Sequence, residues 1–93
     1  MHNFDTLKKT IDQAEQEVKI GGLYAHYRQP ELLYKVLAIA INESTEEPCV
    51  VYQALYGDKL IWVRALSVWR EQVEHQGKTI LRFILKEWLS HWE

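Results

Sequence analysis

One cysteine, two prolines and four glycines are all that the 93 residues contain of these types. A lone Cys49 excludes an internal disulfide and the clustered thiolates of a structural metal site, and it agrees with a reducing, cytoplasmic setting. No apolar run is longer than Val36 to Ile41, against the ~20 residues that a membrane-spanning helix requires. The start, Met1-His2-Asn3-Phe4-Asp5-Thr6, has neither the basic nor the apolar stretch of a secretory signal. A membrane partner and an exported location are therefore not expected. Charge of one sign is also missing: 11 Lys and Arg stand against 13 Asp and Glu, for a net charge of -2. That leaves no positive excess to neutralise phosphates, which disfavours nucleic acid as a partner.

What is present is the composition of a globular domain, with 47% hydrophobic and 26% charged residues. The length allows one core, so 1–93 is expected to be a single domain. Phe4, Leu7, Ile11, Ala14 and Val18 recur at spacings of three and four, which predicts an amphipathic helix over 1–20. Asn3 or Asp5 is placed to cap its start and Gly21-Gly22 to end it. Its apolar stripe must be covered, either by the rest of this chain or by a second copy.

From Leu23 the pattern changes to short β-branched and aromatic runs separated by turn residues. Strands are predicted at about Leu23 to Arg28, Leu33 to Asn42, Cys49 to Tyr56, Leu60 to Arg64 and Ile80 to Leu85, with a helical turn through Ser67, Val68 and Trp69. Five short strands close most economically into a barrel, which removes exposed edges. The fold class is thus mainly β, with a five-stranded barrel core over 21–85. Leu85, Trp88, Leu89 and Trp92 fall on one helical face, which predicts a C-terminal helical tail over 86–93 that buries its tryptophans against the N-terminal stripe, within a chain or across a homodimer.

Three runs carry a resemblance: Gly22-Leu23-Tyr24-Ala25-His26-Tyr27, then Cys49-Val50-Val51-Tyr52-Gln53-Ala54-Leu55-Tyr56-Gly57, then Leu60-Ile61-Trp62-Val63-Arg64. With Glu71-Gln72-Val73, Gly77 and Arg82-Phe83 they span about two thirds of the chain. In this respect the sequence resembles the bacterial domain-of-unknown-function 1653 family. The resemblance implies a small SH3-like barrel and no known reaction. Where that family usually has a His-Ser-Glu-Thr-like loop this chain has Asn42-Glu43-Ser44-Thr45, and Ala65 stands where the family commonly has proline.

Catalytic machinery is sparse. His2, His26, His75 and His91 are scattered, Glu87 and His91 make only a pair, and no phosphate-binding glycine loop or nucleophile elbow occurs. No cofactor or metal is expected, and an enzyme using His26 with an acid such as Glu47 is the third choice. The first is a non-catalytic binding module for a peptide, nucleotide or other small ligand. Its expected site combines His26, Tyr56, Trp62 and Arg64. Trp62 and Arg64 share strand parity, and a guanidinium beside aromatic rings can grip a carboxylate or phosphate while a ring stacks on a planar group. Two readings compete with that site: Arg64 paired with Glu47 or Glu71 as a strut, and Tyr52, Tyr56 and Trp62 as barrel core. A structural or assembly protein acting through its helical stripes is the second choice.

Overall fold

Asn3 starts the first helix, because its side-chain oxygen accepts the Thr6 amide hydrogen at 3.1 Å, one of the donors that a helix N-terminus leaves unpaired. The computed structural model describes residues 2–88 and shows this helix as α1 (Phe4–Glu17). Only the C-terminal half of its stripe enters the core. Ala14 and Val18 are each 2% exposed and Ile11 packs beside them, whereas Phe4 is 75% exposed. The helix ends at Val18, whose extended backbone still donates to the Ala14 carbonyl. Gly21 then takes a φ of 81°, and its amide donates to the Val36 carbonyl, turning the chain into the sheet.

The next elements are β1 (Leu23–His26), β2 (Leu33–Ile41), β3 (Pro48–Ala54), β4 (Ile61–Ala65), α2 (Leu66–Trp69), β5 (Gln72–His75), β6 (Lys78–Leu81) and β7 (Phe83–Glu87). Five of the strands form one antiparallel sheet in the order β4-β3-β2-β1-β7, and β5 and β6 form a separate hairpin. The architecture is mainly β, as expected, but the barrel is not closed. Among the described residues β4 and β7 are the two edges of the sheet and do not pair. Side chains, not a backbone ladder, span the interior between them: Trp69 of α2 stacks face to face on Phe83 of β7, with ring centres 3.9 Å apart.

Two further expectations are corrected. The strand expected over Ile80 to Leu85 is two strands, interrupted at Arg82. Its first part pairs with β5, which the sequence reading left out, through a Gln76-Gly77 turn whose φ values of 54° and 79° suit a two-residue hairpin. Its second part continues to Glu87, so Lys86 and Glu87 are strand where the helical tail was expected. The free side of β1 offers a ladder there, with Tyr24 opposite Leu85 and, past an irregularity in register, Leu23 opposite Glu87, and that pairing overrides a helical spacing of only a few residues. Residues 89–93, including Leu89, His91 and Trp92, lie outside the described residues. Trp88 is partly exposed, and its indole N–H donates to the Ile20 carbonyl at 2.9 Å.

Strand alternation sends Tyr24, Tyr34, Val36, Val50 and Tyr52 to one face, which packs on α1 and α2. A bulge between Val36 and Ala38 shifts the parity of β2, so Ile39 returns to that same face. Val36 and Val50 are fully buried at its centre.

Candidate functional site

Tyr52 and Trp62 lie directly opposite each other across β3 and β4, and Val50 and Arg64 are the next pair on the same face. Tyr34 reaches the same region from β2, with its ring centre 5.4 Å from that of Tyr52. Tyr56 comes from the turn beyond β3, and its hydroxyl is hydrogen-bonded to that of Tyr34. Together Tyr34, Tyr52, Tyr56, Trp62 and Arg64 line an open cleft of about 200 Å³. The competing readings of the aromatics therefore divide by residue. Tyr52 is buried and forms the floor, whereas Tyr56 and Trp62 are exposed and form walls.

Arg64 is partly buried. Its Nε donates to the Tyr52 hydroxyl at 3.4 Å, and its guanidinium carbon lies 5.1 Å from the centre of the Phe83 ring, within cation–π range. Neither expected strut partner holds it. Glu71 is paired with Arg82, and among the described residues no carboxylate lies within ion-pair distance of Arg64. The cleft thus presents a permanent cation and three phenol hydroxyls and no acidic side chain. Of these the Tyr34 hydroxyl is pushed up to about 12, chiefly by burial and then by its hydrogen bond with Tyr56 and the proximity of Tyr56 and Tyr52, with Arg64 pulling weakly the other way, so it keeps its proton at neutral pH.

His26 does not line this cleft. It stands opposite Phe83 across β1 and β7 and meets that ring edge-on, with centres 5.3 Å apart. Its Nδ1 accepts the Arg28 amide hydrogen at 3.2 Å. Burial first, and then the charges of Arg64, Arg82 and Arg28, hold it below its usual 6.5, so the ring is neutral at pH 7. Its charged influences are all cations, and Glu47 is not among them. The fold thus brings Tyr56, Trp62 and Arg64 together and leaves His26 apart, linked to Arg64 through Phe83.

Sequence reasoning missed Tyr34, Phe83 and Trp69. Tyr34 shares a strand face with Val36, and that alternation is visible in the sequence. Its partnership with Tyr56 depends on the β2–β3 register, which is not. Among the described residues no three His, Cys, Asp or Glu side chains are grouped to hold a metal ion.

Residues 22–85 match the family model described as a protein of unknown function, DUF1653. A crystal structure of a DUF1653 protein from Bordetella bronchiseptica is similar in fold, with a TM-score of 0.65, 28% sequence identity, and coverage of 80% of this chain and 95% of that one. No curated protein matches this chain.

Proposed function

The chain belongs to the DUF1653 family, which carries no assigned activity, and we propose from the cleft alone that it is a non-catalytic binding module for an acidic group on a small planar ligand. One observation carries the reading: Arg64 is half withdrawn from water with no carboxylate partner among the described residues. A desolvated charge is costly unless something compensates it, and here the compensation is one long bond to Tyr52 and a ring face. A carboxylate or phosphate in the cleft would complete it, accepting from the guanidinium in bidentate fashion and from the hydroxyls of Tyr34 or Tyr56. The exposed indole of Trp62 is placed to stack on the planar part.

Size narrows the ligand. At about 200 Å³ the cleft is below the ~300 Å³ at which pockets for whole drug-sized ligands begin, so it takes one acidic group and one ring, such as the end of a peptide or one moiety of a nucleotide. Titration of isotope-labelled protein with benzoate, and separately with inorganic phosphate, tests this by NMR. Shifts should appear at Tyr34, Tyr56, Trp62 and Arg64 with benzoate and should vanish in Arg64→Gln. Shifts that persist in that variant, or that map elsewhere, would remove the cleft reading.

A further inference from the structure

β4 is an edge strand whose one charged side chain, Arg64, sits near its C-terminal end. Leu60 to Val63 contains no charge and no proline, and β4 pairs with β3 without a bulge. The other edge, β7, carries Lys86 and Glu87. Leu60, Ile61, Trp62 and Val63 are 55%, 59%, 49% and 65% exposed.

The open hydrogen-bonding groups of this edge follow from its ladder. The Ala54 amide donates to the Leu60 carbonyl, so in the unbroken register Leu60, Trp62 and Arg64 direct their backbone groups to β3. Ile61 and Val63 direct theirs outward. Among the described residues neither makes a backbone bond beyond the sheet. An antiparallel partner must set residues of the same face opposite each other, and it must meet the outward groups of Ile61 and Val63.

We infer that a second copy of this chain pairs with β4 about a two-fold axis through Trp62. In that arrangement Ile61 of each copy faces Val63 of the other, and both pairs use outward backbone groups, giving four hydrogen bonds. Trp62 meets its twin in the closely spaced position between them. Every apolar residue from 61 to 63 then opposes another, and Arg64 faces Leu60 rather than a like charge. A foreign strand can satisfy the hydrogen bonds, but this apolar match is a property of the sequence paired with itself. The exposed side chains of Leu60, Ile61, Trp62 and Val63 supply the apolar surface that the pairing covers. The pairing does not depend on Arg64 binding anything.

Sedimentation velocity of the full chain, from low micromolar to near millimolar, should show a monomer converting to a species of twice the mass. Val63→Pro removes an outward amide and no bond to β3, so it should leave the protein monomeric with its melting temperature unchanged. Ile61→Lys is the second variant, should that one fail to fold, and it should also give a monomer. In a Cys49→Ser background, Trp62→Cys should form a disulfide-linked dimer on mild oxidation. A wild-type chain that is monomeric throughout overturns the pairing and leaves the edge to a foreign strand. A dimer that survives in both Val63→Pro and Ile61→Lys, or that fails to cross-link through Trp62→Cys, overturns it as well.

Discussion

The guanidinium of Arg64 and the ring of Phe83 come from the two opposite edges of the sheet and meet 5.1 Å apart. Phe83 also stacks on Trp69 and receives the edges of His26, Tyr34 and Tyr52. One buried ring thus links the edge strands, α2 and the cleft floor. Replacing Phe83 with Ala should lower stability by about 3–5 kcal/mol, the cost of emptying a filled aromatic site. Chemical denaturation with an unchanged midpoint would show that this junction is dispensable.

Arg64→Gln is expected to move stability by no more than about 1 kcal/mol, because it breaks no ion pair and removes a charge that the fold only partly compensates. A large drop in melting temperature would mark the residue as a strut.

The folded state favours neutral His26, since burial and three arginines hold its pKa below 6.5. The unfolded chain therefore binds the extra proton first as pH falls. This contribution to stability is complete above pH 6.5 and is lost as pH drops below 6.5 through the lower folded value. An NMR titration should give His26 a midpoint below that of an exposed histidine, and His26→Phe should flatten the acid limb of a stability profile. A midpoint at or above 6.5 would contradict this.

At the alkaline end the sign reverses. Tyr34 holds its proton up to about 12 in the folded protein against 10.0 for an ordinary phenol. Its contribution is present below pH 10 and fades as pH rises from there towards 12. Ultraviolet titration should find phenol ionisation extending towards pH 12, and Tyr34→Phe should reduce the amplitude of that late limb.

A Cβ on Gly22 would lie 2.9 Å from the Lys19 carbonyl oxygen and 3.1 Å from Leu85 Cδ1. The first of these is backbone and cannot rotate away. Gly22→Ala should cost about 1–3 kcal/mol, as overpacking does elsewhere. Thermal melts that match the wild type would show that the loop after α1 yields freely.

Local signals carried the reading as far as β2, β3, α2 and the Asn3 cap, because alternation, turn residues and capping are properties of neighbours in sequence. Failure came where a segment's state depends on a distant edge. Lys86 and Glu87 lie within the helical spacing of Leu85, Trp88, Leu89 and Trp92, yet β1 had a vacant side, and the ladder decided. Ile80 and Leu85 read as one strand, because nothing nearby reveals that Arg82 bonds to Glu71 and Tyr27 instead of extending a sheet. In the site, Tyr56, Trp62 and Arg64 were legible from spacing around one turn. Tyr34, Trp69 and Phe83 were not, since each reaches the others across elements that pack only in the folded chain.

The helix α1 lies outside the stretch that matches the family, residues 22–85, yet Ala14 and Val18 belong to the same core as Val36 and Val50, and the Tyr24 hydroxyl accepts from the Lys19 amide at 2.9 Å. The boundary drawn by sequence similarity therefore cuts through a hydrophobic interior. A polypeptide trimmed to that boundary would uncover valines that now never meet water. Here the segment that similarity leaves out supplies part of the wall of the core.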